Sequence, residues 1–543
     1  MLVTVARTGL ASCGMGPARD AEQVRLAELV AALSLGIDLG FGQPMQHVLR
    51  QCLIALRLAE RLDMDTEERG TVYYTALLIN VACHSDAHEQ AKWFGDDIGL
   101  KSDKYAYEFG TMRAAAAGLR RIGAGNPPLH RFRVGLEFAL YGHREVENMI
   151  TEHAQRARVF ADQLGLPAPV SAGLGAAYEQ WDGKGWPGVL SGDDVPIVAR
   201  IAQLAEFVEV AHRVGGVVAA KALARRRAGG QFDPRLATLL ADEADAILDD
   251  LDGIGTWDAV IAAEPSLAVL LCDTEFDAAL LAVANFIDLK SPYTLGHAPA
   301  VAELAAEAGR QYGLDAAEVT TLRRAGLVHG FGRLGVSNSI WDRTGPLSAG
   351  DWERVRMYPY VTERMLHQSQ SLSPLGALAI QHRERLDGSG YPRGLSGNAI
   401  TRSARVLGAA EAYQTKREPR PHRPAYNAEQ AAELLRAEAE AGRLESAAVD
   451  AVLRTAGHRV PRRQDSPRGL TIREIDVLRL LARGMSNKQI AQRLVITPKT
   501  ASNHVEHIYA KIDATSRASA ALFAMQHGLL PDEELAAADR PVS

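Results

Sequence analysis

The chain has 543 residues, too many for one hydrophobic core and enough for roughly three or four domains. Apolar residues make up 47%, charged residues 23% and aromatics only 6%, a soluble composition that favours helices. No run approaches the roughly 18 apolar residues of a membrane span, and the N-terminus lacks a basic-then-apolar signal pattern. The four cysteines (Cys13, Cys52, Cys83, Cys272) are scattered and form no C-x-x-C, so a reduced, cytoplasmic setting is expected. The net charge of −6 hides an asymmetry: residues 461–530 carry +6, the tail 531–543 carries −3, and the rest carries −9. A small basic module on a large acidic body points to nucleic acid.

In chain order, the first distinctive segment is Cys83-His84-Ser85-Asp86-Ala87-His88. Its histidines are four apart and would share a helix face, which suits zinc ligation in principle but, with no second cluster at zinc-finger spacing, reads as a surface helix. Next comes Asp182-Gly183-Lys184-Gly185-Trp186-Pro187, followed by Leu190-Ser191-Gly192. Both phrases return 205 residues later, as Asp387-Gly388-Ser389-Gly390-Tyr391-Pro392 and Leu395-Ser396-Gly397. A duplicated phrase implies tandem copies of one domain. The same offset pairs His153 with Tyr358, Glu179 with Glu384, Arg200 with Arg405 and Glu206 with Glu411. Upstream, His47 precedes Ile79 by 32 residues, as His297 precedes His329, so copy one holds a 45-residue insertion within about 81–150. Between these anchors the apolar spacing is helical, as in Val301, Leu304, Ala305 and Ala308.

In copy two, Lys290–His297, the run Leu327-Val328-His329-Gly330-Phe331-Gly332-Arg333 and the run from His382 to Pro392 resemble the HD-GYP family over about residues 282–458. Copy one, about 25–252, is a weaker relative, marked by Trp181–Gly192 and Gln231-Phe232-Asp233-Pro234. The resemblance implies helical, metal-dependent phosphodiesterases that hydrolyse cyclic di-GMP. Two adjacent cations would polarise the phosphoryl oxygens and supply hydroxide. The family pattern is a first His, a His-Asp pair, a helical His, a His-His pair and a later Asp. Copy two keeps His297, His329 and His382, but has Gly330 for the paired Asp, Tyr358 for the helical His, Arg383 for the second of the double His and Glu411 for the later Asp. Copy one keeps His47 and His153 and otherwise reads Ile79-Asn80, Ala177-Tyr178 and Glu206. The resemblance therefore leaves His297, His329, His382 and Glu411 as a residual site for a divalent metal such as iron, manganese or zinc. An alternative is an anion pocket on Arg333, Arg383 and Arg405. Those arginines could instead pair with Glu384, Asp387 and Glu411.

Residues 459–469 read as a linker. Thr471 with Glu474 and Ser486 with Gln489 make capping boxes, and Thr497 precedes Pro498 at a helix start. Helix stops are expected near Gly484 and Gly528. Ala501, Val505, Ile508 and Ile512 form a buried stripe, so Ser502, Asn503, Glu506 and His507 point outward. Asn reads adenine and Glu accepts from cytosine, while Lys488, Lys499, Lys511 and Arg517 suit phosphates. Leu470–Glu474, Gly484–Ala491 and Thr497–Val505 together resemble the LuxR-type helix-turn-helix over about 468–530. The resemblance implies a third helix in the major groove, with Thr500, Ser502, Asn503 and Glu506 on its DNA side and Lys499 and Arg517 on phosphate.

The expected architecture is all-α: two tandem HD-domain-like bundles (1–255 and 256–458), the linker, a four-helix DNA-binding domain (470–530) and an acidic tail (531–543). The expected function is a cytoplasmic, homodimeric transcription regulator on double-stranded DNA, with a non-catalytic sensory or dimerising body. Two alternatives are an active phosphodiesterase with a DNA-binding output, and a regulator that binds a cyclic nucleotide without hydrolysing it.

Overall fold

The computed structural model describes residues 24–460, apart from 107–111, 125, 126, 252, 254 and 266–268, and residues 467–530. The acidic tail, Cys13 and most of the linker lie outside the described residues. The chain divides into two compact units between His458 and Arg459. Among the described residues the only strands are Val24–Arg25 and Leu270–Leu271, paired antiparallel. The fold is all-α.

Within the first unit, helix pairs recur. Helix His47–Arg61 turns through an Asp65–Glu68 capping box into Thr66–Leu78. Helix His297–Tyr312 turns through an Asp315–Glu318 box into Ala316–Val328. Each box satisfies two orphan N–H groups and fixes the second helix's start. The residues before the two leading histidines are both left-handed, Gln46 at φ 80° and Gly296 at φ 72°. Between Thr66–Leu78 and the loop at 182, the first half adds helices Ala87–Phe94, Asp97–Ala106, Met112–Arg121, Pro128–Glu137 and His143–Gln163.

The repeated loops have a common construction. Gly183 and Gly388 adopt φ of 75° and 79°, which a Cβ would oppose. A Cβ on Gly185 would lie 2.3 Å from the Gln180 nitrogen, and one on Gly390 2.4 Å from the Arg385 nitrogen. The second glycine of each loop thus lets two backbone segments touch. Inside each loop a buried glutamate gathers backbone N–H groups: Glu179 accepts from Gly188, Val189 and Leu190, and Glu384 from Arg393 and Leu395.

The two halves share one apolar core running from Val24 to Ala379. Helix Leu26–Gly40 lies against the second half so closely that a Cβ on Gly36 would come within 2.5 Å of Met365. Polar ties cross as well. Asp97 accepts from Ser337 Oγ at 2.7 Å and the Asn338 backbone at 2.8 Å, with Lys101 Nζ at 3.1 Å and Lys290 Nζ at 3.6 Å. Burial works against the Asp97 charge, but Lys290 and Lys101 outweigh it and hold the carboxyl below the usual range.

The segment expected as a surface helix is a correction. Val81–Asp86 is a 3-10 turn, and His84 is buried in it. Its Nδ1 faces the Val81 carbonyl and its Nε2 the Phe286 carbonyl of the other half, both at 2.7 Å. Only His88 starts the next helix, where it pairs with Asp342 at 2.8 Å.

The second unit contains helices Ile472–Ala482, Asn487–Leu494, Pro498–Ile512 and Arg517–Gln526. Thr471, Ser486 and Thr497 cap the first three, as their spacing predicts. Gly484 and Gly528 follow the ends with φ of 83° and 61°. Leu478, Leu481, Ile490, Ala501, Ile508 and Ala520 close its core.

Candidate functional site

Four elements converge on the histidine cluster of the second half. His297 opens helix His297–Tyr312, His329 follows Ala316–Val328, His382 lies in the 3-10 turn Ile380–Arg383, and Glu411 sits in helix Arg402–Arg417. All four are fully buried. The rings of His297 and His329 are 5.4 Å apart, and those of His329 and His382 are 5.0 Å apart. His329 and His382 each donate Nδ1–H to the carbonyl three residues earlier, both at 2.6 Å. That bond leaves each Nε2 as a lone pair, the form that binds metals. Burial holds all three imidazoles below their ordinary titration range; His382, further opposed by Arg383, falls to about 3.

The surroundings do not fit a two-metal centre. Tyr358 donates its hydroxyl to His382 Nε2 at 2.5 Å, consuming that lone pair. Arg383 donates Nε–H to Tyr358 at 2.9 Å and ion-pairs with Glu411, which also accepts from Thr415. Burial alone would raise the Glu411 carboxyl, but Arg383 and the neighbouring histidines hold it well below its ordinary range. A Cβ on Gly330 would meet the Arg333 guanidinium at 3.6 Å, so a cation flanks the place where the paired carboxylate would project. Two fixed guanidinium charges oppose a further cation. Among the described residues, no group of three or more His, Cys, Asp or Glu side chains is set to hold a metal. His297 Nε2, His329 Nε2, Glu411 Oε2 and Arg333 Nε and Nη1 have no hydrogen-bond partner among the described residues.

Of the three anion-pocket arginines, two approach this cluster. Arg333 and Arg383 both act electrostatically on His382. Arg405 does not join them: it ion-pairs with Glu445 at 2.9 Å and donates to the Ile400 and Gly397 carbonyls. Of the pairings expected instead, Arg383–Glu411 is formed.

The first half holds a different constellation around His47, Asn80 and Glu206. Lys104 Nζ reaches Glu206 at 2.7 Å, and Glu206 also accepts from Asn80 at 2.7 Å and Tyr105 at 2.8 Å. His47 is engaged by Glu209, which also binds Arg50. An ammonium therefore neutralises Glu206. Beside it opens a cavity of about 380 Å³, lined by Phe41, Cys83, Lys104, His153, Tyr178 and Phe207 among others. Lys104, Glu209 and Glu418, which pairs with His297 Nδ1 at 2.7 Å, were not legible as site residues, because each lies outside the quoted motifs. Cys83 had a signal: at the upstream offset of 250 residues, it stands where copy two has Arg333.

In the DNA-binding unit, Lys488, Lys499, Thr500, Asn503, Glu506 and His507 are exposed and Ser502 is half-buried. Ala501 and Ile508 are fully buried on the opposite stripe. Lys511, though exposed, pairs with Glu474 at 2.7 Å, and Arg517 donates to the Leu481 and Met485 carbonyls. Those two cations brace the unit internally.

Residues 282–447 match the family model of the HD domain, and residues 468–524 match that of the bacterial regulatory proteins of the luxR family. The chain thus carries an HD domain and a LuxR-type helix-turn-helix domain. It is 29% identical over 406 residues to 3'3'-cGAMP-specific phosphodiesterase 3 of Vibrio cholerae, spanning 74% of this chain and 88% of that protein. It is 31% identical over 175 residues to the cyclic di-GMP phosphodiesterase response regulator RpfG of Xanthomonas campestris, 32% of this chain and 46% of that one. Among solved structures, a cyclic GMP-AMP specific phosphodiesterase of V. cholerae superposes with a TM-score of 0.56 at 23% identity, covering 81% of this chain and 99% of that one. That likeness establishes the fold. No described helix is long and apolar enough to cross a membrane.

Proposed function

We propose that this chain is a cytoplasmic, homodimeric transcription regulator whose helical body, two degenerate HD-GYP-like copies, senses a ligand without hydrolysing it. The carrying observation is Arg383, which ion-pairs with Glu411 and hydrogen-bonds Tyr358 while Tyr358 caps His382. Ligands that a metal would need are engaged by fixed charge and a hydroxyl. The relatives' names suggest the ligand class, a cyclic dinucleotide, and Arg333 offers donors to its phosphates. Ligand occupancy would set the separation of two helix-turn-helix domains, which has to match two half-sites on DNA.

The test uses the full-length protein, purified with iron or manganese and incubated with 3'3'-cGAMP or cyclic di-GMP. The expected result is less than one equivalent of metal, no turnover, and ligand binding by calorimetry. Two equivalents of metal, with turnover lost in His329→Ala, would replace this reading with the phosphodiesterase one. Genome-wide footprinting of wild type against Lys499→Ala tests the DNA half; identical footprints would refute it.

A further inference from the structure

Two elements of the first half bring a thiol, an imidazole and a carboxylate into line. Cys83 and Asp86 come from the turn Val81–Asp86, and His153 from helix His143–Gln163. His153 Nε2 lies 3.5 Å from Cys83 Sγ, and His153 Nδ1 lies 2.9 Å from Asp86 Oδ2. Arg156 fixes Asp86 at 2.6 Å, and Tyr178 hydrogen-bonds Cys83 directly. This is the order of nucleophile, base and orienting group found wherever a side chain is activated for attack. His153 is placed to take the Cys83 proton, and Tyr178 bonds the sulfur from another side. The cavity of about 380 Å³ gives a small molecule a place beside the sulfur. Its walls include Phe41, Phe94, Met149, Trp186 and Phe207, so it favours an apolar guest. Lys104 is already paired with Glu206, which leaves little to attract a phosphate.

We propose that Cys83 forms a covalent adduct with a small, mainly apolar α,β-unsaturated carbonyl compound that enters this cavity. The thiolate sulfur attacks the β-carbon and a C–S bond forms. The C=C π pair moves onto the carbonyl oxygen as an enolate, which accepts a hydrogen bond from Tyr178. His153 then gives its Nε2 proton to the α-carbon. Thiolate and imidazolium become thioether and neutral imidazole, and no oxidant or reductant is consumed. The adduct is independent of phosphodiester chemistry in the second half, and it gives the body an input other than a nucleotide.

The experiment labels full-length protein at pH 7 with limiting N-phenylmaleimide and reads each cysteine peptide by mass spectrometry. Cys83, 6% exposed, is expected to react about tenfold faster than the half-exposed Cys272, because a thiolate outcompetes a neutral thiol. A sulfonated maleimide is expected to lose that preference. His153→Gln is expected to slow Cys83 about tenfold and leave Cys272 unchanged. Slower or equal labelling of Cys83 in the wild type overturns the proposal without any variant. So does wild-type labelling of Cys83 in a His153→Gln protein with a native circular dichroism spectrum.

Discussion

Arg383→Met isolates the charge at the centre of the second half. Glu411 is fully buried, its Oε1 is held by Arg383 and Thr415, and its Oε2 has no partner among the described residues. Removing one member of such a pair leaves an uncompensated buried charge and costs about 3–5 kcal/mol. With about 2.1 cal/mol/K per residue over roughly 430 residues, the unfolding entropy is about 0.9 kcal/mol/K, so Tm should fall by about 3–6 °C. The pH dependence should also reverse. In the wild type the folded Glu411 carboxyl lies well below its ordinary 4.5, so its stabilisation is present above that value and lost as pH falls through the folded pKa. Without Arg383, burial raises the folded value above 4.5, and stability is lost as pH rises through it. The double variant Arg383→Met/Glu411→Gln should recover most of the loss, because a neutral amide replaces the stranded charge. Circular dichroism melts at pH 5 and pH 7 measure all three proteins. A single variant that melts at the wild-type temperature at pH 7, or that gains nothing at pH 5, would refute the reasoning.

Gly390→Ala places a Cβ 2.4 Å from backbone, and overpacking of this kind should cost about 1–3 kcal/mol in urea titrations. Gly388→Ala, whose Cβ finds ordinary room but whose φ is 79°, should cost only about 1–2 kcal/mol. Lys499→Ala should weaken DNA binding uniformly across sequences and reduce the salt slope by about 1, whereas Asn503→Ala should lose about 1–3 kcal/mol only at the base it reads; fluorescence anisotropy on a footprinted site distinguishes them. Buried His84 titrates at about 4 against 6.5 when unfolded, so its stabilisation is complete above 6.5 and lost as pH falls towards 4. Melts across that window should show a smaller acid loss in His84→Gln.

The DNA-binding unit was the most legible part, because each helix start is written locally as a side chain three residues from the N–H groups it caps. The duplicated loops were legible for the same reason. Their glycines answer local demands, a positive φ at Gly183 and Gly388 and a backbone contact at Gly185 and Gly390. The cluster around His329 was half-legible: the resemblance marked Arg383 as a charge where a ligand belongs, but not that Tyr358 would bond both His382 and Arg383. Arg405 shows the converse. The sequence offered it to an anion pocket, yet its partner is Glu445, 40 residues downstream. The line Cys83–His153–Asp86 spans 70 residues and depends on how a helix packs over a turn, which no local pattern encodes. His84 misled because spacing of four looks helical, whereas the chain there makes a 3-10 turn whose imidazole bonds a carbonyl of the other half.

The seam around Gly36 and Asp97 bears on how the protein can be taken apart. A fragment beginning near residue 256 would uncover Met365 and Leu334, and strand Lys290 without its counter-ion. Such a piece would be sticky and charged in the wrong place, and an assay on it would report the damage. The serviceable cut falls between His458 and Arg459. A substitution at the seam should therefore destabilise both halves together, because they share one core.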